Sequence, residues 1–98
     1  MHSIDDLLHL VNSDRAEALK LQVGVPPIIT LDGEQHQIEG APITAEDVEQ
    51  FLQKIVNTRQ RRELRKNGTV QFVYRFRNIT DFVVCARIEK GNVRIDIE

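Results

Sequence analysis

Five cations crowd one short stretch, Asn57-Thr-Arg-Gln-Arg-Arg-Glu-Leu-Arg-Lys-Asn-Gly68: Arg59, Arg61, Arg62, Arg65 and Lys66. Guanidinium and ammonium groups at that density could hold an anion or an acidic protein face. On a helix they would spread around much of the circumference, because a turn takes 3.6 residues. The plainer reading is a solvated helix with cations near its C-terminal end, where the helix dipole favours them. The functional reading is a partner-binding surface for an acidic protein face. No aromatic residue interleaves with the arginines, so stacking on single-stranded bases is not supported.

A second stretch, Gly24-Val-Pro-Pro-Ile-Ile-Thr-Leu-Asp-Gly-Glu34, has the glycines of a ligand cradle. A phosphate cradle also needs a helix N-terminus to supply aligned amide donors, and none follows Gly24. Its parts read better as punctuation. Pro26 and Pro27 lack donors and steer the chain, and Asp32-Gly33 has the composition of a type I′ hairpin turn.

Other reactive side chains are sparse. His2, His9 and His36 lack metal-ligand spacing, and Cys85 is the sole cysteine, placed in the apolar run FVVCA that suits a small buried thiol. Ser3 and Ser13 fall in cap and loop positions. The chain contains no GxxxxGK[ST] and no GxGxxG, so neither familiar device for a nucleotide is present. The residues therefore name no catalytic group, no metal ligand and no cofactor.

The elements that position these residues follow from periodicity. Ser3 with Asp6 has the spacing of a capping box, before Ile4, Leu7, Leu8 and Val11 on one helical face ending near Asn12-Ser13. Ala18 to Val23 alternates as a half-buried strand, Ile28 to Leu31 begins another, and Glu34 to Ile38 returns across the Asp32-Gly33 turn. Thr44 and Asp47 cap a helix striped by Val48, Phe51, Leu52, Ile55 and Val56. A shorter helix spans Thr58 to Lys66 and stops at Asn67-Gly68.

Three strands close the chain: VQFVYRFR, FVVCARIE and VRIDIE. Val70, Phe72, Tyr74 and Phe76 share one face, as do Phe82, Val84, Ala86 and Ile88, and then Val93, Ile95 and Ile97, which together predict the core. The other face carries Arg75, Arg77, Arg87, Glu89, Arg94 and Asp96, interleaved in sign as a lattice of cross-strand pairs. Asn78 to Asp81 and Lys90-Gly91 supply the turns. The expected fold is α+β: a mainly antiparallel sheet of about five to six strands with two to three helices packed on it, one domain over residues 1–98.

Composition sets the class. With 98 residues, 41% hydrophobic and 29% charged, the chain has ordinary globular values. Its net charge of −2, from 13 basic and 15 acidic residues, gives no whole-molecule attraction for nucleic acid. No apolar run approaches the ~20 residues of a membrane span, and the start, MHSIDDLLHL, is acidic where a signal peptide is basic. The chain reads as cytoplasmic. Asn67-Gly-Thr and Asn78-Ile-Thr then mean turn chemistry rather than glycosylation.

The order helix, GxPPxxxxDG hairpin, PxTxEDVExFL helix, short Gln-containing helix and terminal strands resembles the N-terminal PAS-like domain of PilT-type hexameric motor ATPases of bacterial type IV pilus retraction, relatives of type II secretion ATPases. The residues that carry it are Gly24, Pro26, Pro27, Asp32, Gly33, Pro42, Thr44, Glu46, Asp47, Val48, Glu49, Leu52, Gln60, Phe72, Tyr74, Phe82 and Gly91. The resemblance implies a PAS-like fold that packs against the ATPase core of a neighbouring subunit, with Walker motifs, and hence ATP hydrolysis, in a core beyond Glu98.

Departures from that family matter as well. Ala16 to Leu21 reads AEALKL where the family is close to ASDLHL, and Thr30 stands where an arginine precedes the turn. Asp81-Phe-Val-Val-Cys85, with Ile88 and Lys90, replaces a strand whose arginines in such motors partly face nucleotide. Valine and aspartate cannot make those charge-assisted contacts. The expectation is a non-enzymatic protein-interaction domain, associated with twitching motility or type II secretion, that binds a protein partner or itself and not ATP. Alternatives are a PAS-like small-ligand sensor and a fragment of a full-length motor ATPase.

Overall fold

The computed structural model describes residues 3–98. Its elements are α1 (Ile4–Asp14), β1 (Ala18–Leu21), β2 (Ile28–Leu31), β3 (Glu34–Gln37), α2 (Ala45–Ile55), α3 (Thr58–Asn67), β4 (Thr69–Phe76), β5 (Thr80–Glu89) and β6 (Asn92–Ile97). The fold is α+β, with three helices and one six-stranded sheet in the order β3-β2-β1-β6-β5-β4, antiparallel at every pairing. The chain builds β1 to β3 outward, crosses through α2 and α3 to the far edge, and returns by β4, β5 and β6 to pair β6 with β1.

Helix formation follows the local chemistry. The Thr44 hydroxyl accepts from the Asp47 amide and the Asp47 carboxylate accepts from the Thr44 amide, both at 3.0 Å, so two otherwise orphaned donors at the start of α2 are met. Asn57 and Gln60 form the same reciprocal pair at α3, at 2.8 and 3.0 Å, and Gly68 closes that helix at φ 76°. The capping box expected at Ser3 is absent: Ser3 takes the N-cap conformation without a side-chain bond. Helix α1 is held by packing, through Ile4, Leu7, Leu8 and Val11, all buried.

The helical stripes and one sheet face form a single core, in which Phe51, Leu19, Leu21, Val84, Ala86, Ile95 and Ile97 are essentially inaccessible. The opposite sheet face is open and carries the expected charge lattice: Arg75–Asp81 at 2.8 Å, Arg94–Asp96 at 3.3 Å, and longer contacts of Glu89 with Arg87 and Arg94.

Several expectations need correcting. Strand β1 stops at Leu21, and Val23 instead makes a lone parallel bridge to Ile43. Strand β3 stops at Gln37, while Ile38 donates to the Pro27 carbonyl. The turn after β4 is Arg77 to Ile79, so Thr80 and Asp81 belong to β5, where Asp81 faces Arg75 across the ladder. Arg77 leaves the sheet at φ 51° and lies over the Phe76 ring, 4.8 Å from its centroid. Ile88 is 45% exposed because it lies under an open groove between α2 and α3. Cys85 is half-buried on the open face, beside the Arg87 guanidinium, rather than in the core.

Candidate functional site

Helix α3 presents the cations. Its one buried residue, Leu64, anchors it to the core. Measured from Arg59 at 100° per residue, Arg61, Arg65, Arg62, Lys66 and Arg59 follow one another through a continuous arc of about 160°. This is narrower than the spread expected from their number. Arg59, Arg62, Arg65 and Lys66 are exposed, whereas Arg61 is half-buried. Arg61 reaches back to α2, its Nη1 donating to Glu49 Oε1 at 2.6 Å, while its Nη2 is buried without a hydrogen-bond partner.

Beside the arc runs an open groove of about 250 Å³ between α2, α3 and the β5–β6 hairpin, floored by Leu52, Leu64, Ile88 and Val93 and rimmed by Glu49, Arg61 and Arg65. A second hollow of about 190 Å³ is lined by Thr58, Arg61, Arg62 and Arg65. The fold thus sets exposed Ile88 and half-buried Val93, over buried Leu52 and Leu64, beside the Arg61–Arg65 end of the row of cations. The sequence displays the five cations, but it reads Leu52, Ile88 and Val93 as core and gives no signal for Leu64. The exposed Ile88 was concealed by alternation that placed it in the core.

The Gly24 stretch is structural. Its N–H donates to the Ile43 carbonyl at 2.8 Å, and Ile43 N–H returns a bond to Val25 at 2.9 Å, which ties this loop to the approach to α2. The amide a cradle would offer is already spent. Asp32 and Gly33 both have positive φ, 50° and 80°, as a type I′ turn requires, and the Gly33 amide donates to Glu17 at 2.9 Å.

The remaining candidates stay apart. His9 lies on α1 with Nε2 3.5 Å from Ser13 Oγ, His36 sits 3.6 Å from Glu34, and His2 lies outside the described residues. Among the described residues no group of three or more His, Cys, Asp or Glu could hold a metal ion, and no helix is long and apolar enough to cross a membrane. On the open sheet face, the hydrogen bond from Arg75 holds the Asp81 carboxyl below the usual aspartate range; desolvation opposes it, and attraction to the Arg75 charge adds to it. The same bond raises Arg75, so this guanidinium is committed to a carboxylate within the sheet.

Comparison with solved structures bears on this geometry. The pilus retraction motor PilT, solved with bound ADP, superposes on 100% of this chain with a TM-score of 0.89 at 19% identity. The fold is shared. The ATPase DotB of Legionella pneumophila gives 0.79 over 97% of the chain at 19% identity, and DotB of Yersinia pseudotuberculosis gives 0.73 over 96% at 14%. The chain spans 29%, 27% and 28% of those three proteins, respectively. No protein-family model and no curated protein matches it. The resemblance drawn from the GxPPxxxxDG hairpin and the capped α2 is therefore met by the fold as a whole.

Proposed function

We propose that this chain is a non-enzymatic, PAS-like protein-interaction domain of the kind built into pilus-retraction and secretion motors, and that it recognises an acidic protein surface through α3. The observation that carries the reading is the arc of exposed cations on α3, Arg59, Arg62, Arg65 and Lys66, whose Arg65 end, with half-buried Arg61, borders the groove of Leu52, Leu64, Ile88 and Val93. A partner helix or loop that alternates carboxylates with an aliphatic residue would satisfy both halves. Charge steers such an encounter, and the apolar contact holds it. The engaged Gly24 amide and the Arg75–Asp81 pair argue against a phosphate role for this chain. In the cell it would act in the cytoplasm, within pilus or secretion machinery.

The test is calorimetry of the 98-residue chain with three probes: ATP, ADP and a short peptide alternating glutamate with leucine. The peptide should bind in the micromolar range and weaken with added salt. Reversing three cations, Arg59→Glu, Arg62→Glu and Lys66→Glu, should cost about 2 kcal/mol, or about 30-fold in affinity, at 0.2–1 kcal/mol per exposed pair. Micromolar binding of either nucleotide, or peptide binding indifferent to the reversal, would overturn the assignment.

A further inference from the structure

Strand order leaves β4 bonded on one side only, to β5, with its other side forming an edge of the sheet. At 8 residues it is a long edge. Natural sheets blunt such edges with proline, bulges, short strands or inward charge. TVQFVYRF contains no proline or glycine and a single charge, Arg75, which is bonded to Asp81.

Hydrogen-bond phase shows what this edge offers. Val83 exchanges both backbone bonds with Glu98, each at 2.9 Å, so its polar groups point to the β6 side. Its opposite number on β4, Val73, therefore belongs to a non-hydrogen-bonded pair. The N–H and C=O of Val73 consequently face outward, and Gln71 and Arg75 share that phase. The side chain of Val73 is 62% exposed, and Val83 beside it is 40% exposed. On the inner face Phe72 and Tyr74 are only partly covered.

This edge is its own complement. In antiparallel pairing only registers that keep the same sheet face together are allowed, which excludes every one-residue slip. A two-fold axis at Val73 sets Val73 on Val73 of a second copy, Phe72 on Tyr74, Val70 on Phe76 and Gln71 on Arg75. No like charges meet. Arg75 uses Nε and Nη2 on Asp81, leaving Nη1 to donate to the facing Gln71 carbonyl. Val73, Gln71 and Arg75 supply the outward backbone groups such a ladder needs.

We infer that β4 is a self-association edge: two copies pair through it about a two-fold axis at Val73, joining two six-stranded sheets into one. This surface is distinct from the α3 arc, so either assignment can fail alone. Sedimentation of the chain across the micromolar range should show a reversible dimer, weak because a strand pair covers less than a standard interface. Val73→Lys, at an exposed position, should leave the thermal melt unchanged and raise the dimer dissociation constant about tenfold or more, by opposing two ammonium groups.

A cysteine pair fixes the register independently. In a Cys85→Ser background, Val73→Cys should oxidise to a linked dimer, since a hydrogen-bonded antiparallel pair holds its Cα atoms about 5.5 Å apart, within disulfide reach. Gln71→Cys should not, its two copies being four positions out of register. A chain monomeric at every concentration, a dimer indifferent to Val73→Lys, or equal cross-linking at both cysteines would overturn the inference.

Discussion

Arg61 tests whether the cations of α3 have distinct roles. Its side chain is 29% exposed, that of Glu49 49%, and the pair is 2.6 Å long. An ion pair this open contributes about 0.2–1 kcal/mol. Against it stands the buried Nη2 without a partner, and an unsatisfied buried donor costs about 1–3 kcal/mol. Arg61→Met keeps the apolar stem over α2 while removing both, so the balance predicts stabilisation of about 1 kcal/mol. For a domain of this size that is a rise in melting temperature of about 4–8 °C. Urea unfolding followed by circular dichroism should show a higher midpoint with unchanged slope. Glu49→Gln should act oppositely, because it weakens the bond that partly compensates the buried guanidinium. A loss of about 1 kcal/mol or more in Arg61→Met would refute the reasoning. Affinity for the acidic peptide should fall less in Arg61→Met than in Arg62→Met, since Arg61 is turned into the fold.

Ile88→Ser should change stability by under about 0.5 kcal/mol, being 45% exposed, yet weaken the peptide several-fold in calorimetry by removing part of the groove floor. Thr44→Ala, which leaves the Asp47 amide without its hydroxyl acceptor, should lower unfolding free energy by about 1 kcal/mol in urea titrations. Gly33→Ala should cost a similar amount, about 1 kcal/mol: a Cβ there meets no atom within 4 Å, so any loss measured by thermal melting reflects the positive φ of 80°. Asp81 has its folded-state carboxyl held low by Arg75, so its contribution is present at neutral pH and lost as pH falls below the ordinary aspartate range. Carboxyl NMR titration should place it below the usual value, and Arg75→Gln should move it back up.

Much of the fold was legible because it rests on local chemistry. The Thr44–Asp47 box and the stripe from Val48 to Ile55 lie within one stretch of helix, and Asp32-Gly33 needs only two positive φ angles. What alternation cannot report is how far a helix layer reaches. Ile88 has the right parity for the core, but it floors an open groove between α2 and α3 and stays 45% exposed. Cys85 sits in a run of five apolar residues, Phe82 to Ala86, whose alternate members face opposite sides of the sheet, and the run conceals that division. Thr80 and Asp81 have turn composition, yet Asp81 is recruited into β5 by Arg75, a partner that only the ladder supplies. The cations of α3 were visible as residues. Their meeting with Val93 and Ile88, about thirty positions away, was not, because it depends on the β4–β5–β6 hairpins that set Ile88 beside Gly68 and Val93 beside Ile88.

The most direct test of the central claim is amide chemical-shift mapping of the 98-residue chain with the glutamate–leucine peptide. Shifts should concentrate on Arg59 to Lys66 and on Ile88 and Val93, with the Gly24 loop unmoved. Shifts gathered around Gly24 and the open sheet face, or none on α3, would contradict the account.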